Sequence, residues 1–272
     1  MALMRYRPLG DAPSDGKLGR FIPDDWEHVE KWRAAAALPQ TVAVVEKRLI
    51  LPSWHWLHNQ GEEGSCVPHG VNMERAVTNL AQNKVKQQKP YTRRYDPLEN
   101  WDWAKAHDEW AETNPGDDNG TSVRAGYEYQ RVVGPRRIPT NGMAVGADGR
   151  PYLTAKPGPN DLGEGVQAYR WATTVDEIRT ALAAGLPVTI GVNWYENFDE
   201  PIQVKGDWWI GIGPLGRIRG GHSLVIYGAS DKRQAFRLKN SWGRDYPLVW
   251  IPYKTMERLL NEYGEAALVT DR

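Results

Sequence analysis

The chain contains a single cysteine, Cys66, among its 272 residues. One thiol forms neither an intramolecular disulfide nor a four-cysteine metal site. A lone cysteine is usually either a small buried apolar residue or a group kept for its reactivity. A cysteine with His and Asn far downstream is typical of a catalytic thiol, and Gly221-His222 and Asn240-Ser241 supply those residues here.

The composition excludes several classes of protein. Lys and Arg together number 34, as do Asp and Glu, so the zero net charge argues against nucleic acid or an anionic membrane as a partner. The first ten residues have no apolar stretch of the kind found in secretory signals, and no run approaches the roughly 18 apolar residues of a membrane span. We therefore expect a cytoplasmic protein, or a virion-associated one if it is phage-encoded.

The aromatic composition is unusual, with 13 Trp against 3 Phe. The simpler interpretation is that Trp occupies core and groove positions that other chains give to Phe. A surface that stacks carbohydrate or bases is the alternative, and we favour the first interpretation.

Secondary-structure patterns divide the chain into an N-terminal arm, residues 1–37, and one domain, residues 38–272. Residues 1–23 are predicted to be irregular and Asp24 to Ala37 helical. The remaining predicted helices are Cys66 to Gln82, Trp101 to Ala111, Thr121 or Ser122 to about Val133, and Val175 to Ala184 capped by Thr174. The predicted strands are Val42 to Val45, Leu49 to Leu51, Val188 to Trp194, Trp208 to Ile212, Leu224 to Tyr227, and Ala235 to Leu238.

Two segments are predicted to connect these elements. Lys84 to Arg94 reads as a solvated connector rather than a nucleic-acid patch, and residues 135–166 read as a long irregular crossing. Helices come first and mostly strands follow residue 185, which is the order of an α+β fold with two lobes.

The last two predicted strands form a hairpin that joins His222 to Asn240. Ala229 to Arg233 is a polar connection of hairpin length, and pairing Gly228 with Gln234 places His222 directly opposite Asn240. Opposite residues of an antiparallel pair share a face, so this register predicts a side-chain hydrogen bond between His222 and Asn240.

The same residues predict acyl-transfer chemistry. A helix N-terminus and a nearby imidazole both favour the thiolate, so we expect the pKa of Cys66 to be lowered. His222 acts as its base, and Asn240 orients the ring. The oxyanion needs N–H donors, which the Cys66 backbone and the Gln60 side chain supply. Glycines at 61 and 64 allow the tight turn between them.

The motifs resemble those of the papain-like cysteine peptidases. Gln60-Gly61-x-x-Gly64-Ser65-Cys66 resembles that family's nucleophile segment, Gly221-His222-Ser223 its base strand, and Asn240-Ser241-Trp242-Gly243 its asparagine motif. The resemblance implies a two-lobed α+β fold, with a helical left lobe at about 55–135 and an antiparallel, barrel-like right lobe at about 136–265. It implies catalytic roles for Cys66, His222, Asn240 and Gln60, with no metal and no cofactor.

The resemblance also implies a peptide or protein substrate. The substrate-binding residues that it indicates are Gly64, Ser65, Gly120, Thr121, Ser122, Gly221 and Trp242. Gly120 and Thr121 would offer backbone groups to an extended peptide. Departures from the family pattern are Glu63 in place of a common cysteine, Val67 in place of an aromatic residue, and the absence of a second Trp-Gly after Gly243.

Three functions are compatible with this set of residues. A peptidase is the leading interpretation. A thioester intermediate that passes its acyl group to another acceptor gives transamidation, deamidation or isopeptide cleavage. A non-catalytic peptide-binding module on the same scaffold is the third, and loss of the Cys, His or Gln would favour it; all three are present.

Overall fold

The computed structural model describes residues 45–61, 63–85, 93–109, 111–112, 120–139, 141–146 and 151–270. The predicted arm, its helix Asp24 to Ala37, and most of the predicted strand Val42 to Val45 and of the connector Lys84 to Arg94 lie outside these ranges.

The described structure contains one large sheet of nine strands, in the order β6-β13-β7-β10-β11-β12-β9-β8 with β1 also paired to β10. Its pairings are antiparallel except for β12 with β9. The strands are β1 Glu46–Arg48, β6 Tyr169–Trp171, β7 Val188–Tyr195, β8 Ile202–Val204, β9 Asp207–Trp209, β10 Ile218–Ser230, β11 Ala235–Lys239, β12 Val249–Pro252 and β13 Glu265–Val269.

Two small sheets lie in or beside the segment that was predicted to be irregular. They pair β2 Arg94–Tyr95 with β3 Arg137–Ile138, and β4 Met143–Val145 with β5 Pro151–Leu153. The crossing from 135 to 166 is therefore more regular than predicted, because short antiparallel pairings satisfy its backbone groups.

Five helices pack with the sheet in the described residues: α1 Cys66–Val85, α2 Pro97–His107, α3 Val123–Val132, α4 Val175–Ala183 and α5 Tyr253–Asn261. The predictions for α1, α3 and α4 are confirmed within a few residues. α3 begins after Ser122, whose hydroxyl accepts from Ala125 N, and α4 has the predicted capping box on Thr174.

Helix α2 begins four residues earlier than predicted, and α5 was not predicted. The start of α2 is set by Asp96, whose carboxylate accepts from Leu98 N, and by Pro97 in the first turn. Strand predictions were also inexact: the strand at Leu49 to Leu51 lies instead at Glu46–Arg48, β9 ends before Ile212, and β6, β8, β12 and β13 of the large sheet were not predicted. These short strands carry too few residues for a clear alternation.

Helix α1 lies at the centre of the molecule. We predicted one buried face, but the residues from Cys66 to Thr78 are buried on every side, because α2 and α3 cover one side of the helix and β7 and β10 cover the other. Two glycines permit this close approach. A Cβ at Gly70 would lie 2.9 Å from Ser223 Oγ, and one at Gly126 of α3 would lie 2.7 Å from Val67 Cγ1.

The buried carboxylate of Glu74 ties α1 to the sheet. It accepts from Val269 N of β13 at 2.9 Å and from Thr189 Oγ1 of β7 at 3.1 Å, and Tyr127 of α3 donates to it through a short hydrogen bond. One carboxylate thus joins two helices to two strands, and its position fixes how α1 lies across the sheet.

The architecture is that of a two-lobed α+β protein, as predicted, with α1 between the helices α2 and α3 and the large sheet. Within the described residues, none of the helices combines the length and the apolar character that crossing a membrane requires.

Glu74→Ala is expected to lower the free energy of unfolding by about 3 kcal/mol, because it leaves buried donors without an acceptor. Glu74→Gln should cost less, since its amide oxygen can serve Val269 N while the hydroxyls rotate to accept. Denaturant unfolding measures both, with the exposed Glu257→Ala as the control that should stay within about 0.5 kcal/mol of wild type. Equal losses for the Ala and Gln variants would contradict this role for the carboxylate.

Candidate active site

Cys66 is the first residue of α1 and is fully buried. Its Sγ accepts the backbone N–H of Ser223 at 3.0 Å. Ser223 directly follows His222 in β10, so the thiol of one lobe lies against the strand that carries the imidazole of the other. The sequence did not indicate this backbone donor, because it arises only when α1 docks on the sheet.

His222 and Asn240 form the predicted hydrogen bond, with His222 Nε2 2.7 Å from Asn240 Oδ1. Ser241 N, which can only donate, lies 2.7 Å from the same Oδ1. That contact identifies the atom as the carbonyl oxygen, so His222 Nε2 carries the proton. The other ring nitrogen, Nδ1, has no hydrogen-bond partner in the described structure and is left as a proton acceptor.

The register predicted for this hairpin is wrong, although the contact it predicted is present. Val225 pairs with Lys239, and continuing that register places Leu224, not His222, opposite Asn240. A bulge between Ile226 and Gly228 shifts the pairing again towards the turn. Because side chains alternate with a period of two, a displacement of two residues keeps His222 and Asn240 on one face, as diagonal neighbours within reach.

Gln60 is hydrogen-bonded to Ser241 of the asparagine motif, residues 240–243. Its backbone N–H donates to Ser241 O at 2.8 Å, and its Oε1 accepts from Ser241 Oγ at 2.6 Å. Its Nε2 donates to Glu63 O at 2.9 Å, which uses one of the two amide hydrogens. Ser241 therefore links Gln60 to Asn240, a role that the sequence analysis did not assign.

Two indoles enclose the His222 ring. The Trp242 ring is tilted against it with centroids 5.0 Å apart, and Trp194 of β7 meets it in a T-shaped contact at 4.7 Å. The sequence indicated Trp242 through its motif. It gave no signal for Trp194, which lies 28 residues upstream and reaches the ring only through strand pairing.

The other predicted substrate-binding residues are buried in this structure. Gly64, Ser65 and Gly221 adjoin Cys66 and His222 in sequence, and all three are buried. Gly120, Thr121 and Ser122 precede α3 and are also buried, and the Ser122 hydroxyl is occupied as the helix cap. The described conformation is thus closed around the thiol.

Burial dominates the protonation of the pair. It raises the pKa of the Cys66 thiol, against the lowering effect of the Ser223 and Val67 N–H groups. It lowers the pKa of His222 to about 4, against the raising effect of the Asn240 hydrogen bond. The predicted lowering of the thiol pKa is therefore wrong for this closed arrangement, which favours a neutral thiol beside a neutral imidazole.

A second polar cluster, formed by His58, His69 and Lys239, lies next to the asparagine motif. His58 and His69 are buried with their Nδ1 atoms 3.2 Å apart, so one ring donates and the other accepts. Burial lowers the pKa of His69 to about 3 and that of Lys239 to about 7, and the Lys239 ammonium donates to Asn240 O. Within the described residues, no three His, Cys, Asp or Glu side chains are arranged to hold a metal ion.

Comparison with known proteins finds similarity in structure alone. A scan against family models and a search of curated proteins give no match. Among solved structures, xylellain, a cysteine protease from Xylella fastidiosa, aligns with a TM-score of 0.55 at 18% identity, covering 100% of this chain and 97% of that one.

Two proenzymes align similarly. Digestive procathepsin L 3 of Tenebrio molitor larval midgut gives a TM-score of 0.54 at 13% identity, covering 86% of this chain and 71% of that chain. Procathepsin B S9 from Trypanosoma congolense gives 0.53 at 10% identity, covering 99% and 87%. The fold of this chain is therefore that of the papain-like cysteine proteases.

The buried histidines predict loss of stability in acid. His58, His69 and His222 stay neutral in the folded protein, because burial lowers the pKa of each, whereas in the unfolded chain they bind protons below about pH 6.5. The unfolded state then binds more protons, so the free energy of unfolding falls as the pH drops from about 6.5 towards 4. Each histidine contributes at most about 1.4 kcal/mol per pH unit.

Denaturant unfolding between pH 7 and pH 4.5 measures this slope. His69→Gln should reduce the slope of the free energy of unfolding against pH by roughly the contribution of one histidine, whatever its effect on stability at pH 7. The exposed His107→Gln is the matched control. A slope that His69→Gln leaves unchanged would show that this ring is protonated in the folded protein.

Proposed function

We propose that the protein is a cysteine-type endopeptidase that hydrolyses peptide bonds through an acyl-enzyme on Cys66. One observation carries the proposal. Cys66 Sγ lies against the N–H of the residue that follows His222, while the Nε2 proton of His222 is held by Asn240. The thiol thus lies against the residue next to a base whose Nδ1 is free to accept a proton.

The hydrogen bonds support a defined order of proton transfers. His222 Nδ1 takes the thiol proton as Sγ attacks the substrate carbonyl, and the Ser223 N–H stabilises charge on the sulfur. His222 then gives that proton to the leaving amine as the C–N bond breaks, which leaves a thioester. A water molecule, deprotonated by the same nitrogen, hydrolyses the thioester and returns the proton to Sγ.

The oxyanion of each tetrahedral intermediate needs two donors. We assign these to the Cys66 backbone N–H and to the Gln60 amide hydrogen that is not used by Glu63. The two side-chain contacts of Gln60, with Ser241 Oγ and Glu63 O, fix the plane of this amide before substrate arrives. Such preorganisation is what makes a donor effective against a developing charge.

We assign the substrate as a peptide or protein segment in extended form, held by backbone groups at Gly120 and Thr121. The full burial of Cys66 and His222 requires the closed site to open before a peptide enters. Entry of water and substrate would restore solvation to the thiolate, which opposes the burial that raises the pKa of Cys66.

Cleavage of an unbiased peptide library by the full chain tests the proposal, with products identified by mass spectrometry. Cys66→Ala should abolish cleavage. His222→Ala should reduce kcat/KM by about 10² to 10⁴, and Gln60→Ala by about 10² to 10³. His107→Ala, an exposed histidine on α2, is the matched control and should retain wild-type cleavage.

Other acceptors have separate outcomes in the same assay. A thioester on Cys66 that forms and then transfers to an added amine, without hydrolysis, would replace the peptidase with an acyltransferase. Binding of peptides that persists in Cys66→Ala, with neither cleavage nor a thioester in wild type, would identify a peptide-binding module and overturn the proposal.

A further inference from the structure

Trp194 reaches His222 because of the way β7 pairs with β10. Val192 is the strand partner of His222 and Gly220 is the partner of Trp194, so Trp194 and His222 are diagonal neighbours on one face. Gly220 has no side chain to oppose the indole, which leans across to the imidazole. The two ring centroids are 4.7 Å apart with planes at 71°.

A half-buried carboxylate, that of Asp199, fixes the indole. Trp194 Nε1 donates to Asp199 Oδ1 at 2.8 Å, and the second oxygen of Asp199 accepts from Arg219. Trp194 is 1% exposed, so the indole is held by packing on its ring and by a charge-assisted hydrogen bond at its polar end. Its ring also meets Trp242 in a T-shaped contact at 5.2 Å.

The imidazole is therefore confined between two indoles and one amide. Trp242 and Trp194 contact the ring, and Asn240 holds its Nε2 proton. A cation over the face of an aromatic ring, within about 6 Å of its centroid, is attracted by the ring quadrupole. The Asp199 carboxylate, bound to the indole N–H, places a negative charge at the edge of the ring that His222 contacts.

The reaction needs that stabilisation. His222 carries a positive charge between accepting the thiol proton and releasing it to the leaving amine. Burial opposes that charge, since it lowers the pKa of His222 to about 4. The titratable groups on the elements packed around the ring are Cys66 on α1, Arg219 on β10, Asp199 after β7, Lys239 on β11 and Tyr246 after the asparagine motif.

We propose that Trp194, oriented by Asp199, is a positioning residue that holds His222 against Asn240 and favours its protonated form during the reaction. The inference rests on the proposed role of His222 as the base. It assigns a function to one of the 13 tryptophans that neither the motifs nor the fold comparison indicates.

Two variants test the contributions of the Trp194 indole and of the Asp199 charge separately. Trp194→Phe keeps an aromatic ring but removes the N–H and half of the indole. Asp199→Asn keeps an acceptor for Trp194 Nε1 and removes the negative charge, together with the ion pair to Arg219. Trp171→Phe is the matched control, because Trp171 is a buried tryptophan of the same sheet whose aromatic partner is Tyr169, not His222.

The first measurement is the rate of Cys66 alkylation by iodoacetamide from pH 4 to pH 10. The acidic transition of the thiolate–imidazolium pair is ionisation of the thiol beside an imidazolium, so the contact with Trp194 is present on both sides of it and its pH should not change. The alkaline transition is loss of the imidazolium proton. Loss of imidazolium stabilisation should therefore lower the pH of the alkaline transition, by about half a pH unit for Trp194→Phe and by less for Asp199→Asn. Trp171→Phe should match wild type.

The second measurement is peptide cleavage at the optimum pH. Trp194→Phe should lower kcat by about 3- to 10-fold and leave KM within about twofold, since the contact acts on the base and not on the peptide. A role in packing alone would lower the melting temperature without moving the alkaline transition, so the melting temperatures of all three variants are measured alongside.

The inference is overturned if the pH dependence of Cys66 alkylation is the same as wild type in both Trp194→Phe and Asp199→Asn. It is also overturned if Trp171→Phe shifts that pH dependence by an equal amount. If Trp194→Phe does not fold, the Asp199→Asn profile decides alone. A wild-type chain that cleaves no peptide refutes the peptidase proposal but leaves the alkylation profiles as a test of Trp194. A wild-type thiol that titrates as an isolated group near pH 8.5 overturns both.

Discussion

The contact between Cys66 Sγ and the N–H of Ser223 depends on how α1 lies against the sheet, and the rest of the candidate site depends on that contact. A helix approaches a strand this closely only where side chains allow it. Gly70 leaves the first turn of α1 free to meet Ser223, and Glu74, one turn further on, anchors the helix to β7 and β13. The thiol and the imidazole are brought together by the packing of a whole helix, not by local sequence.

In this site, burial strengthens the hydrogen bonds but disfavours charged groups. Hydrogen bonds such as those on Asn240 Oδ1 and Gln60 are stronger where water is excluded, and they fix the tautomer of His222 and the plane of the amide. Charges are disfavoured by the same exclusion, which raises the pKa of Cys66 and lowers that of His222. The closed arrangement thus has precise geometry and neutral groups, and the ionic steps require either opening or stabilisation of the imidazolium by its aromatic neighbours.

Several elements could be predicted because their signals are local. Pro68 near the start of α1, Ser122 before α3 and the capping box on Thr174 act within one helical turn, and those three helices were predicted within a few residues. The start of α2 was placed four residues late, because the helix is set by the Asp96 cap and by Pro97 in its first turn rather than by Trp101. The hairpin register was displaced because the turn pairs Ser230 with Ala235 rather than Gly228 with Gln234, and a bulge between Ile226 and Gly228 then shifts the pairing by one residue.

The sequence by itself determined which residues are available for chemistry: one thiol at a helix start, a glutamine six residues before it, and a His and an Asn in one hairpin. It also determined that His222 and Asn240 share a face, since the alternation of side chains survives a displacement of two residues. Only the tertiary structure decided the Ser223 donor, the Ser241 link to Gln60, the contact of Trp194 with His222, and the raised pKa of the thiol. Each of these depends on the burial and pairing of segments far apart in the chain, which no local pattern specifies.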